Sequence, residues 1–161
     1  MNYLAAAVQL SSGRDKAANL ACAERLIRLA AARGAALVAL PETFNWRGSA
    51  AEEPAAAEPL DGPSLSLISR LARELDVCVL AGSITERAAN ESKSYNTSAL
   101  VGRDGAVLAV YRKIHLFDID LPGRVRVQES ARKIAGAEAV SVKTPLGDIG
   151  LTICYDIRFP E

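Results

Sequence analysis

Glu42, Lys113 and Cys154 are the residues of this sequence whose types could cooperate in breaking a bond. Each sits at or just past the end of an apolar run: Glu42 after "LVALP", Lys113 after "AVLAVYR" and Cys154 after "IGLTI". Cysteine attacks as a thiolate, and a free pKa of about 8.5 leaves little of it ionised at neutral pH. A carboxylate whose pKa is raised by burial can take the thiol proton. A neighbouring ammonium favours the ionised forms and can also hold an oxyanion. Together the three form an acyl-transfer set whose resting protonation state depends on the balance between Glu42 and Lys113.

Taken singly, each residue has an ordinary role. Cysteine is usually a small buried hydrophobe, a glutamate after a proline is usually a solvated turn residue, and a lysine beside Arg112 is usually a surface cation. His115, the single histidine, offers a different partner for Cys154 in a Cys-His hydrolase. Only the joint pattern favours the three-residue set.

The elements that must position these residues read as an alternation of strands and helices. Residues 3–10 predict a strand, and Leu20, Ala23, Ile27 and Ala30 recur at helical spacing with Ser11 or Ser12 as cap and Gly34 as terminator. "AALVALPE" predicts a second strand, and 45–61 a surface loop rich in Ala, Pro and Glu. Pro63 opens a helix with Leu65, Ile68, Leu71 or Ala72, and Leu75 on one face. "DVCVLAGS" follows as a strand, and Asp104-Gly105 marks a hairpin between "NTSALVG" and "AVLAVY". Residues 112–137 read as irregular, before "AVSVKT", a "PLGD" turn and "IGLTIC". This order predicts a layered α/β protein whose helices cover one face of a mixed sheet. The strands are continuous apolar runs, so the other face must also be buried.

A chain of 161 residues supports one domain, 1–161. Its zero formal net charge argues against nucleic-acid or anionic-membrane partners and directs attention to a small molecule. Three widely separated cysteines and one histidine supply neither a disulfide framework nor a metal site. The N-terminus lacks the basic segment of a signal peptide, which predicts a cytoplasmic protein. On that view the glycosylation patterns at Asn90 and Asn96 are chance matches.

"LVALPETFN", "YRKIHLFDIDLPG" and "GLTICYDIRFPE" resemble, in order and spacing, the three signature segments of the nitrilase superfamily of carbon–nitrogen hydrolases. The second and third are similar to their versions in the deaminated-glutathione amidase and ω-amidase branch. The resemblance implies a four-layer α-β-β-α sandwich, incomplete at its C-terminus here, and hydrolysis of a small non-peptide amide without cofactor or metal. It implies homo-oligomers, and a triad carried by Glu42, Lys113 and Cys154, with Glu129 as an auxiliary carboxylate. Tyr155 would offer a backbone N–H to the oxyanion, and Phe44 and Arg158 would contact substrate. Family members continue well beyond the nucleophile motif, so this chain reads as their N-terminal part. The alternative is a non-catalytic partner that keeps a sheet face for assembly. Arg112, Arg124, Arg126, Arg132 and Lys133 gather around the lysine motif, and with Arg158 they either form a solvated, partly paired loop or recognise a substrate carboxylate.

Overall fold

A computed structural model describes residues 2–89 and 92–160; Asn90, in the first glycosylation pattern, lies outside the described residues. The central sheet contains β1 (Leu4–Ala7), β2 (Ala35–Ala39), β3 (Cys78–Leu80), β4 (Ile84–Arg87), β5 (Ser94–Val101) and β6 (Val107–Arg112). β1, β2 and β3 run parallel in that order. β5 pairs antiparallel with β3 through its second half and with β4 through its first half, while β6 lies antiparallel along its other edge. β6 therefore points the same way as β2, which brings the ends before Glu42 and Lys113 to one edge.

Helices α1 (Lys16–Ala32) and α3 (Pro63–Leu75) cover one face. Asp15, not Ser11 or Ser12, caps α1: its Oδ1 accepts the Ala18 N–H at 3.0 Å. Ala23 and Ile27 from α1 and Ile68 and Leu71 from α3 are wholly buried against Val38, Val79 and Val101 of the sheet. Burying each of the larger aliphatic side chains contributes about 1.5–3 kcal/mol.

The alternate strand residues, Leu37, Leu80, Leu100 and Tyr111, face the other way and meet the hairpin of β7 (Val140–Thr144) and β8 (Gly147–Leu151) through Val142, Ile149 and Leu151. A β-strand pattern buried on both faces thus produces an α-β-β arrangement, three layers of the expected sandwich. A cavity of about 570 Å³, lined among others by Tyr3, Cys78, Leu108 and Leu146, remains between this hairpin's turn and the sheet. Among the described residues, no helix is long and apolar enough to cross a membrane.

Two segments depart from expectation. The stretch 112–137 contains a projecting hairpin, Asp118–Leu121 paired with Val125–Gln128, followed by a 3₁₀ turn at Glu129–Ala131. The stretch 45–61 is not a solvated loop: it carries α2 (Glu53–Ala56), and Asn45, Glu53 and Glu58 are buried. Glu58 accepts from Asn45 Nδ2 at 2.6 Å, Ser64 Oγ at 2.6 Å and the Ser64 N–H at 2.9 Å, and pairs with Lys16. Glu53 is held by Lys133 and Arg132. Buried carboxylates survive only with such partners, and here they clamp the segment that follows Glu42 onto the domain.

Candidate active site

The turn carrying Glu42 is built by close backbone approach. Strand pairing persists to the Leu40 N–H, which donates to Leu80 O at 2.9 Å, and Pro41 then ends it. Gly82 packs here so tightly that a Cβ would stand 2.0 Å from the Pro41 carbonyl oxygen, so only glycine fits. Ser83 Oγ accepts the Thr43 N–H at 2.9 Å and holds Thr43 at φ 53°, which β-branched residues rarely adopt.

Lys113 leaves β6 with both backbone groups engaged: its N–H donates to Asn96 O and its carbonyl accepts from Gly136 N–H, each at 2.9 Å. Cys154 opens a 3₁₀ turn, Cys154–Arg158, just past β8, with φ 50°. Left-handed backbone away from glycine costs on the order of 1–3 kcal/mol and collects at functional sites. Two such residues, Thr43 and Cys154, border this one.

The side chains converge as follows. Lys113, its side chain 2% exposed, places Nζ 3.0 Å from Glu129 Oε2 and 3.4 Å from Glu42 Oε1. Asn96 Nδ2 donates to Glu42 Oε1 at 2.7 Å and reaches Glu129 Oε1 at 3.4 Å. Glu129 also accepts the Phe117 N–H at 2.7 Å, which fixes it at the base of the projecting hairpin. An ammonium and an amide thus bridge two carboxylates. Glu42, with a third of its side chain exposed, and the exposed Cys154 form the open side.

The charges around the thiol have a definite sense. Loss of solvent pushes the Cys154 pKa up, the Glu42 carboxylate pushes it further, and Lys113 pulls it down without reversing the shift. Desolvation first, and then two carboxylates against one ammonium, leave the thiol less ready to ionise than an ordinary cysteine. Burial alone would lower the Lys113 pKa, but the Glu129 hydrogen bond and the charges of Glu42 and Glu129 leave it raised. The cation stays charged across the neutral range.

Glu42, Lys113 and Glu129 come together, and Cys154 lies close enough for the charges of all three to act on its thiol. Tyr155 is half-buried in the first turn of the 3₁₀ segment, where N–H groups have no acceptor within the helix, and its ring packs edge-on to Phe117 and Phe159. Phe44 requires a correction: it is wholly buried in the helix-side core, so it anchors the turn and offers no surface to a substrate. His115 is drawn elsewhere, with Nδ1 2.9 Å from Asp156 Oδ1 and its ring stacked 3.8 Å from that of Phe159. That disfavours the Cys-His pairing.

Most of the cations expected at a substrate carboxylate are otherwise engaged. Arg112 makes a bidentate pair with Glu86 and covers the Tyr95 ring, Arg132 and Lys133 hold Glu53, and Arg126 faces Asp120. Arg124 and Arg158 are exposed and form no ion pair among the described residues. Sequence reasoning missed two site residues. In the sequence Asn96 stands out only through a glycosylation pattern, yet it is 3% exposed with its amide turned onto Glu42 and so is closed to a glycosylating enzyme. Asp156 was passed over two residues beyond the nucleophile; only its place inside "CYDIRFPE" could have signalled it.

Comparison with known proteins shows the family and the fold. The Carbon-nitrogen hydrolase family model matches residues 4–161. The chain is 43% identical to Omega-amidase NIT2 of Homo sapiens over 160 residues, covering 99% of this chain and 57% of that protein. It is 42% identical to a chloroplastic Omega-amidase of Arabidopsis thaliana, covering 95% of this chain and 42% of the relative. The C. elegans NitFhit structure superposes with a TM-score of 0.90 at 34% identity, covering 98% of this chain and 39% of that one. The chain spans about half the length of the curated relatives it matches.

Proposed function

The chain belongs to the carbon–nitrogen hydrolase family, and from that premise we propose that it hydrolyses the terminal amide of a small carboxylate-bearing substrate through a thioester on Cys154. The observation that carries the reading is the Lys113 ammonium seated between Glu42 and Glu129, all three close enough for their charges to act on the Cys154 thiol.

In the proposed cycle the Cys154 thiol passes its proton to the Glu42 carboxylate as sulfur bonds to the amide carbon. The carbonyl oxygen becomes an oxyanion held by Lys113 and the Tyr155 N–H. Collapse breaks the C–N bond, and Glu42 returns the proton to the leaving nitrogen, which departs as ammonia. Glu42 then deprotonates a water that attacks the thioester. The C–S bond breaks, the carboxylic acid is released, and the thiol is restored with the proton Glu42 had taken. Glu129 keeps Lys113 in place. The whole of 1–161 acts as one domain in this scheme.

The substrate class is supported by the names of the relatives, which are omega-amidases, and by Arg124 and Arg158, the cations of the lysine-motif group that form no ion pair among the described residues. Arg158, four residues from the nucleophile, is the cation nearest to it in sequence. The test is ammonia release from monoamides of four- and five-carbon dicarboxylic acids against matched neutral amides. A charge-assisted hydrogen bond of about 1.5–3 kcal/mol predicts a ten- to hundred-fold preference in kcat/KM, reduced in Arg158→Ala. Equal rates on the two amide classes would remove the carboxylate from the proposal.

A further inference from the structure

We infer that Asp156 is a positioning residue: its buried carboxylate ties the nucleophile turn to both flanks of Lys113 and thereby sets where Cys154 stands relative to that lysine. The inference rests on the amidase reading only for its kinetic arm.

Four donors converge on this carboxylate. Oδ2 accepts from Tyr111 Oη at 2.6 Å and from the Ile153 N–H at 2.9 Å. Oδ1 accepts from the His115 N–H and from His115 Nδ1, each at 2.9 Å. The side chain is 4% exposed. An ionised carboxylate has room for all four bonds, and no other side chain of this size offers four acceptor positions and no donor.

The placement of the donors is what gives Asp156 its reach. Tyr111 and His115 lie two residues before and two after Lys113, so the carboxylate holds the lysine's backbone from both sides. The Ile153 N–H is the last backbone donor before Cys154, and its bond to Asp156 closes the turn across the nucleophile. A cysteine at φ 50° persists only where its surroundings over-determine it. Tyr111 extends the network by accepting the Ile114 N–H at 3.1 Å. None of these bonds touches the reacting atoms, so Asp156 acts through Cys154 and Lys113.

The ionised state of Asp156 is itself stabilised. Burial works to raise its pKa, but Tyr111, the His115 and Ile153 N–H groups and the His115 ring together outweigh it and leave the value below the usual aspartate range. Tyr111 responds in the opposite sense, pushed up to about 12 by burial and by its bond to Asp156. A carboxyl depressed on folding contributes stability above the unfolded pKa of about 3.9 and loses it as pH falls through the folded value. The tie is therefore intact throughout the neutral range.

Asp156→Asn keeps the shape but turns an NH₂ group toward two of the four donors. The experiment measures, on the 161-residue chain, the pH dependence of Cys154 alkylation by iodoacetamide, resolved from Cys22 and Cys78 by peptide mass spectrometry. Thermal melting and steady-state ammonia release from a dicarboxylate monoamide are measured alongside. A displacement of about 1 Å predicts a loss of roughly a hundred-fold in kcat with KM changed by much less. The alkylation midpoint should fall toward that of an ordinary cysteine, because the released thiol moves away from the desolvating protein atoms beside it and from the Glu42 carboxylate, which together hold it high. Tyr111→Phe, which removes one of the four bonds, should move both quantities the same way by less, and it carries the test if Asp156→Asn does not fold. An unchanged midpoint in a folded variant, whether or not melting drops, would overturn the inference. A wild-type chain that releases no ammonia while the variant shifts the midpoint would defeat the amidase reading and still support the positioning role.

Discussion

Cys154→Ala is expected to release no ammonia above background, a loss of about four orders of magnitude or more in kcat. Removing the nucleophile of a covalent mechanism eliminates the path itself, and what remains is at most the modest help that binding and oxyanion donors give to direct water attack. The site makes this unusually clean. Cys154 is exposed and contributes little packing, so alanine leaves the core intact. Its left-handed backbone is imposed by Asp156 and the 3₁₀ turn, which the substitution does not touch. Melting within about 0.5 kcal/mol of wild type is therefore expected, as for surface changes generally. Ammonia release by this variant at more than a few per cent of wild type, from a folded sample, would eliminate Cys154 as the nucleophile.

Glu42→Gln separates the reactivity of the thiol from catalysis. As the proposed proton carrier in both half-reactions, Glu42 should be worth about 10²- to 10⁴-fold in kcat. Glutamine retains an oxygen that can accept the Asn96 Nδ2 bond and is nearly isosteric, so the turn should hold. The charge effect has the opposite sign. Glu42 is among the groups that raise the Cys154 pKa and Lys113 the one that lowers it, so removing the carboxylate charge leaves the ammonium less opposed. The alkylation midpoint of Cys154 should shift to lower pH, giving a thiol that reacts faster with iodoacetamide near neutrality while turnover is nearly abolished. A midpoint that rises, or a kcat within a few-fold of wild type, would contradict Glu42 as both neighbour and base.

Glu42 and Lys113 were legible as neighbours because each follows an apolar run, and the ends of the co-directed β2 and β6 fall on one edge of the sheet; Cys154 follows a strand of the separate hairpin, whose placement no local pattern encodes. The two helical faces were legible as well: Ile27, Ile68 and Leu71 recur at the period that a helix on a sheet requires. What escaped was polar and long-range. Asn96 meets Glu42 across 54 residues and Tyr111 meets Asp156 across 45, and nothing in the local pattern of either residue encodes its partner.

The same gap explains why Glu53 and Glu58 were read as solvated. A carboxylate is ordinarily outside, and only the arrival of Lys133, Arg132, Lys16, Asn45 and Ser64 makes burial tolerable. The projecting hairpin was missed because its strands are four residues each and largely exposed, so they lack the buried alternation by which a strand announces itself. Phe44 stands two residues after Glu42 in its motif, yet it serves the core instead of the pocket. Its neighbour Thr43 is left-handed, which redirects the chain and sends the aromatic ring into the core.

The central claim is that the amide carbon passes through a thioester on Cys154, and hydroxylamine competition tests it most directly. With a dicarboxylate monoamide as substrate, hydroxylamine intercepts an acyl-enzyme in place of water and yields the hydroxamate. The account predicts that hydroxamate appears alongside released ammonia, that its share rises with hydroxylamine concentration, and that both products vanish in Cys154→Ala. Ammonia release with no hydroxamate at saturating hydroxylamine, or hydroxamate formation that survives Cys154→Ala, would contradict it.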